Sequence, residues 1–316
     1  MIITSWNIRG LNNRGKQRYL NERLKKEKPS IMIVQETKIS TVKMREILNR
    51  NRNRYEMMGQ DAVGSAGGLV IIWNPEEIQF SNWMSFPRIL TRTTSIVGTT
   101  EEVIITGVYG PHIQSEKENF LQNLKALRCL IPGKQWIVGG DFNLIKASGE
   151  KRGGTRRMDK IMEQFGDLIR EHKLIDIQTI NGNHTWNNRR GGANQIASRL
   201  DRFLISEQIM MKDVFIEATI LPVAGSDHWL IKLEIDLKQR PPNKPFRFEA
   251  FWLRNEGLME KLEEWWRTSD QRGKNKMHTF QLKLKEMKNK IKKWNKEEFG
   301  NVIEEKKRLE QRMEEL

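Results

Sequence analysis

The chain has 316 residues, with 55 Lys and Arg against 40 Asp and Glu, a net charge of +15 and a pI near 9.8. A hydrophobic content of 37%, with ten Trp and twelve Phe, excludes wholesale disorder and suffices for one large core plus an appendage. The single cysteine, Cys129, excludes a disulfide framework and a cysteine-based zinc site, and it suits a reducing compartment.

The positive surplus favours a polyanionic partner, of which nucleic acid is the commonest; the blander reading is a surface merely rich in Lys and Arg. The opening MIITSWNIRG reads as a strand rather than a signal peptide. No apolar run approaches the roughly 18 residues that a membrane span needs. A soluble, intracellular protein without a membrane partner is expected.

Strands are predicted at Ile2–Trp6, Ile31–Gln35, Gly68–Trp73, Val103–Tyr109, Gln135–Gly139, Leu200–Ile205 and Trp229–Ile235. Each is short, rich in β-branched or aromatic residues, and bounded by turn formers. Helical patterns at Lys16–Lys28, Glu116–Cys129 and Met158–His172 fall between them. Strands outnumber helices, which suits two packed sheets flanked by helices better than a strict βα alternation.

The proline cluster within Arg240–Pro245 marks a boundary, so a domain over residues 1–237 and a basic helical extension over 238–316 are expected. The extension carries 21 Lys and Arg against 14 Asp and Glu, and the first 237 residues carry 34 against 26, so both portions are basic. Phe280, Leu284, Met287, Ile291 and Trp294 follow helical spacing, and Leu309, Met313 and Leu316 resume it beyond Gly300-Asn301. This amphipathic helix suits packing on the core or on a partner. Its lysines (Lys283, Lys285, Lys288, Lys290, Lys292, Lys293) could touch phosphates, serve as a nuclear import signal, or simply form a solvated face.

Polar residues recur at predicted strand ends: Asn7 after the first strand, Glu36 after the second, Tyr109 closing the fourth, and Asp141 and Asn143 after the fifth. Asp201 heads the sixth, and Asp227-His228 precedes the seventh. Singly, each is a common turn former or helix cap. Together, carboxylates, amides and one histidine have the composition of a phosphoryl-transfer site built on a hard metal.

The ordered motifs WNIRG, QETK, VYGPH, GGDFN, SRLD and GSDHW resemble the endonuclease/exonuclease/phosphatase superfamily. WNIRGLN, VQETK, GGLVIIW, GDFN, HTW with SRLDRFLIS, and SDHW resemble more narrowly the apurinic-endonuclease-like domain of plant LINE-type retrotransposons. PFRFEAFWLRNEG and KKWNKEEFGNV are similar to the segment joining that domain to the reverse transcriptase, so the likeness spans nearly the whole chain. It implies a DNase I-like fold, an α/β four-layered sandwich of two mixed sheets flanked by helices, and a nuclease dependent on Mg²⁺, with Mn²⁺ as the alternative.

Carried over residue by residue, the resemblance implies that Glu36 holds the metal, with Asn7 close by and Asp227 beside the metal or behind His228. Tyr109 would donate to a phosphate oxygen, and Asp141, positioned through Asn143, would orient or deprotonate the attacking water. His228 would meet the developing charge with Asp201 fixing its tautomer. Thr185 and Ser198 match polar positions lining the site in retrotransposon members. Arg9 stands where cellular apurinic endonucleases tend to have an acidic residue, which favours nicking of intact DNA.

The basic loops Gly149–Arg157 and Arg189–Gln195 could grip phosphates, the first through Arg152, Arg156 and Arg157. Nothing in the chain resembles a polymerase site with paired aspartates. A truncated element, a gene derived from one or an incomplete gene model is therefore expected, acting on DNA in the nucleus. An inactive nucleic-acid binder and a phosphatase or lipid phosphodiesterase of the same superfamily remain the alternatives.

Overall fold

The computed structural model describes residues 1–50, 54–63, 66–99, 101–154, 159–212, 214–237, 248, 252–253, 255–272, 274 and 276–295. Arg156, Arg157, the prolines of the expected boundary, Gly300-Asn301, Leu309, Met313 and Leu316 lie outside them. The chain divides into two compact units, Met1–Pro242 and Asn243–Leu316.

The first unit runs β1 (Ile2–Asn7), α1 (Arg14–Glu27), β2 (Ile31–Gln35), α2 (Thr41–Asn49), β3 (Glu56–Val63), β4 (Ala66–Trp73), β5 (Ile78–Phe86), β6 (Ile89–Ile96) and β7 (Glu102–Tyr109). It continues through α3 (Gln114–Leu130), β8 (Trp136–Asp141), β9 (Lys151–Arg152), α4 (Lys160–Glu171), β10 (Leu174–Ile177), β11 (Trp186–Asn187), β12 (Ala197–Ser198), β13 (Asp201–Ser206), α5 (Glu207–Met210), β14 (Ile216–Leu221) and β15 (Leu230–Ile235). Two six-stranded mixed sheets result, ordered β14-β15-β1-β2-β4-β3 and β10-β13-β8-β7-β6-β5, with a small third sheet β11-β12-β9.

The central strands are buried on both faces. In β2, Ile31 and Ile33 enter the core between the sheets with Ile71, Ile105, Ile137 and Phe203. Met32 and Val34 face the other way, onto Leu20 and Leu24 of α1 and Met44 and Ile47 of α2. On the far side, Trp136 and Val138 pack against Phe120 and Leu124 of α3 and Phe165 of α4. Four layers follow, which is the DNase I-like sandwich. Side chains alternate along each strand, so a strand covered on both faces reads as an unbroken apolar run.

Local chemistry sets the helix ends. The Asn13 side chain accepts from the Gly15 amide at the start of α1, and Lys28 adopts a left-handed conformation at its end, just before Pro29. Ser40 caps α2 and Asp159 caps α4 in the same way.

In the second unit, α6 (Glu256–Arg267) and α7 (Lys276–Trp294) pack around Trp252, Leu258, Ile291 and Trp294. The spacing that predicts α7 holds for Ile291 and Trp294, whereas Phe280 and Leu284 stay exposed. No helix among the described residues is long and apolar enough to cross a membrane.

Candidate active site

The topology gathers the strand ends. β1 and β2 are parallel, as are β7 and β8, so Asn7, Glu36, Tyr109 and Asp141 all lie at or just past the carboxyl ends of central strands. The antiparallel strand β13 places Asp201 directly opposite Asp141. His228 immediately precedes Trp229 and β15, and an isolated bridge to Trp186 holds it in register.

Tight backbone turns are needed to aim these groups. Arg9, Glu36, Lys38 and Asn143 all have φ between 50° and 54°, a region costly for residues with a Cβ and often occupied at functional sites. Gly68 makes the turn after β2 possible: at φ +91° a Cβ there would lie 2.1 Å from Thr37 Oγ1. Gly110 does the same for the turn after β7, where a Cβ would meet the Phe142 carbonyl oxygen at 1.9 Å.

Asp141 and His228 form the centre. Asn7 Nδ2 donates to Asp141 Oδ2 at 2.8 Å, and the Asn143 amide donates to Oδ1 at 2.9 Å. His228 Nδ1 lies 2.9 Å from Asp201 Oδ2, while its Nε2 stands 3.8 Å from Asp141 Oδ2, beyond hydrogen-bonding reach. All three side chains are buried. Burial pushes the Asp141 carboxyl up to about 7, with Asp201 adding to the effect and His228 and Asn7 opposing it. Burial alone would lower the His228 imidazole, but the charges of Asp201 and Asp141 outweigh it and raise it to about 9.

Beside this pair lies a second cluster around Glu36. Its Oε1 pairs with Lys38 Nζ at 3.0 Å. Burial would raise this carboxyl, yet Lys38 and Arg9 hold it below the ordinary range. Arg9 reaches Glu36 Oε2 at 3.8 Å and Asp227 Oδ1 at 3.3 Å, and both oxygens are buried without a hydrogen-bond partner. Two buried carboxylate oxygens that share one cation and lack a hydrogen bond suit a divalent ion, so Glu36 and Asp227 fit the expected metal donors. Asp227 Oδ2 is already held by Trp186 Nε1 at 2.9 Å. Asp141, Asp201 and His228 also bring one potential ligand atom each within 4.8 Å of one another, a buried group centred on the histidine.

The remaining expected residues take varied places. Tyr109 is buried, its hydroxyl 3.2 Å from His112 Nε2, and burial with the charges of Glu36 and Asp141 pushes the phenol well above its ordinary value. Thr185 sits beneath the site: its Oγ1 accepts from the Leu200 and Asp201 amides at 3.0 and 2.9 Å, so it positions Asp201 rather than facing solvent. Ser198 lines a groove of about 410 Å³ that Asn143, Trp186, Leu200, Lys117 and Lys151 share. Arg152 is exposed on β9.

Lys38, His112 and Trp186 were not singled out in the sequence, although QETK, VYGPH and HTW contain them. Ser226 was missed too; its hydroxyl donates to the Asn7 carbonyl at 2.7 Å and accepts from the His228 amide at 3.1 Å, tying β1 to the histidine.

A buried ion network anchors Asp201 from behind. Arg202, fully buried, meets Glu150 Oε2 at 2.9 Å and Asp176 Oδ2 at 3.0 Å, and Arg199 pairs with Asp176 Oδ1 at 2.6 Å. Burial would raise the Asp176 carboxyl, but Arg202, Arg199 and Lys146 hold it down at about 2. Arg202→Met leaves two buried carboxylates short of their cation and should cost about 3–5 kcal/mol in urea unfolding. The Asp176 contribution is present above its ordinary value of 3.8 and is lost as pH falls through about 2. A loss below about 1 kcal/mol for Arg202→Met would mean that the network is not structural.

Comparison with known proteins agrees with the architecture. The solved 3′-5′ exonuclease NExo from Neisseria meningitidis is 19% identical, with a TM-score of 0.59 over 75% of this chain and 100% of that one. The endonuclease domain of TRAS1, a telomere-specific non-LTR retrotransposon, is 15% identical, with a TM-score of 0.59 over 75% and 99%. An AP endonuclease from Archaeoglobus fulgidus is 18% identical, with a TM-score of 0.57 over 75% and 100%. At these identities the likeness establishes the fold. No curated protein sequence matches the chain significantly. Residues 4–228, most of the chain, match the Endonuclease/Exonuclease/phosphatase family. The chain therefore belongs to the Endonuclease/Exonuclease/phosphatase family, whose members are phosphoester hydrolases dependent on a divalent metal.

Proposed function

We propose that the chain is an endonuclease that nicks intact DNA in the presence of Mg²⁺ or Mn²⁺, leaving a 3′-hydroxyl and a 5′-phosphate. One observation carries this reading: a histidine suspended between two buried carboxylates, with Asn143, which holds one of them, also lining a groove that contains Lys117 and Lys151.

Each residue has a part in the reaction. Asp141, held by Asn7 and Asn143, takes a proton from the attacking water and aligns it with phosphorus. His228, kept protonated by Asp201, donates from Nε2 to a phosphate oxygen as negative charge builds there. Tyr109 donates its hydroxyl to another phosphate oxygen. Glu36, with Asp227 and Asn7 near it, would hold the divalent ion, which when bound supplies Lewis-acid stabilisation of the phosphate and of the departing O3′. Asp201 orients the histidine, because the 2.9 Å bond engages Nδ1 and leaves Nε2 free to face the phosphate.

The groove beside Asn143 receives the sugar and base next to the scissile phosphate. Lys117 and Lys151 on its wall, and Arg152 nearby, meet neighbouring phosphates. The motifs shared with retrotransposon nucleases and the presence of Arg9 favour intact over abasic DNA and an origin in a LINE-type element. A nuclear location would follow from that substrate.

The end chemistry tests this reading. Plasmid nicked by the protein should prime a DNA polymerase directly and be resealed by ligase without added kinase or phosphatase. Nicks that need a phosphatase before extension would contradict it, since a 3′-phosphate means that the other ester bond was cut.

A further inference from the structure

The second unit carries a groove that the nuclease chemistry does not use. It measures about 650 Å³, is formed where Trp266 of α6 faces α7, and is lined by Phe248, Leu284, Met287, Lys285 and Lys288. Its large side chains are open, Trp266 being 37% and Leu284 48% exposed, and Phe280 beside Trp266 is 48% exposed. Trp266 and Phe280 stand edge to face with ring centroids 5.8 Å apart.

The cations here belong to the groove as well. α7 carries seven lysines against Glu286 as its one acidic residue. Lys283 Nζ lies 5.5 Å over the Trp266 ring and donates to the Trp266 carbonyl oxygen at 3.4 Å, which fixes a cation at the rim. Lys285 and Lys288 have no ion-pair partner among the described residues, whereas Lys290 pairs with Glu286 at 2.9 Å.

A purely apolar peptide would leave these lysines uncompensated, and an isolated phosphate would leave the aromatic surface exposed. A flexible strand of nucleotides meets both demands, because bases stack on aromatic rings while phosphates track the cations. Duplex DNA hides the faces of its bases and cannot stack in this way. We propose that the α6–α7 groove binds single-stranded nucleic acid, with bases against Trp266 and Phe280 and phosphates against Lys283, Lys285 and Lys288.

The test uses the full chain in EDTA and fluorescein-labelled oligo(dT) and oligo(U) of about 20 nucleotides, the two arms separating DNA from RNA, read by anisotropy. Trp266→Ala should weaken binding about tenfold, within the range expected for one lost stack. Lys285→Glu/Lys288→Glu should weaken it similarly while leaving every apolar contact in place. Lys25→Glu/Lys26→Glu on α1 changes net charge equally without altering any residue of the groove and should have less than a threefold effect, roughly that of general, salt-screened charge. Plasmid nicking in Mg²⁺ should be unchanged in all three variants.

Circular dichroism checks that Trp266→Ala retains its helices, and the lysine pair tests the groove independently of that. Unchanged affinity in the lysine pair overturns the proposal. So does an equal loss in Lys25→Glu/Lys26→Glu, which would mark general charge attraction. Retained strand binding together with saturable binding of an apolar helical peptide would assign the groove to a protein partner instead.

Discussion

His228→Ala and Asp201→Asn should each lower the nicking rate by about 10³-fold, because the first removes the donor to the transition-state oxygen and the second leaves it mis-protonated. The pH profile separates the two roles. In the wild type the rate should rise through about 7, as Asp141 loses its proton, and fall through about 9, as His228 loses its own. Asp201 is the strongest of the groups raising His228, acting against burial. Asp201→Asn should therefore move the alkaline limb to lower pH and leave the acid limb nearer its place. A profile of unaltered shape would deny Asp201 its hold on the imidazole, whatever the loss of rate.

Glu36→Gln should reduce activity at low metal concentration by about 10²-fold or more and shift half-saturation by Mg²⁺ upward, since a neutral amide is a poor ligand for a hard cation. The left-handed backbone at Glu36 carries a conformational cost that the fold sustains to aim this carboxylate. Because Lys38 and Arg9 favour the charged carboxylate, removing that charge should lower stability modestly without unfolding the protein. Thermal unfolding in EDTA checks this separately from catalysis: a variant that is both inactive and unfolded would say nothing for Glu36 as a ligand. Mn²⁺, which tolerates weaker ligand sets, should restore more activity to Glu36→Gln than Mg²⁺.

How far the sequence could be read follows from burial. β2 and β8 are covered on both faces, so their runs of apolar residues stand out, and the expected Ile31–Gln35 coincides with the observed strand. β5 at the edge alternates Ile78 and Phe80 with exposed Gln79 and Ser81, but a bulge between Phe80 and Trp83 breaks the period, so it left no comparable signal. β3, the edge of the other sheet, opens with Glu56 and includes Gln60 and Asp61, and it was missed for the same reason. α2 was also missed, being only Thr41–Asn49, too short for a convincing period.

The site divides in the same way. Asn7, Glu36, Asp141 and His228 stand at strand ends, where a polar residue after an apolar run invites a functional explanation. Their second partners depend on pairings remote in sequence. Ser226 reaches back to Asn7, and Thr185 bonds the amides of Leu200 and Asp201; neither link leaves a local trace. The Arg202 network is likewise hidden, because a basic residue in SRLDR looks like surface until Glu150 and Asp176 are brought beside it.

The most direct measurement is the conversion of supercoiled plasmid to open circles in Mg²⁺ by the full chain. Metal-dependent nicking by the wild type, abolished by EDTA and in both Glu36→Ala and His228→Ala, is the predicted result. A wild-type protein that retards the plasmid on a gel yet leaves it supercoiled with either Mg²⁺ or Mn²⁺ would contradict a nuclease and identify a nucleic-acid binder that no longer cuts.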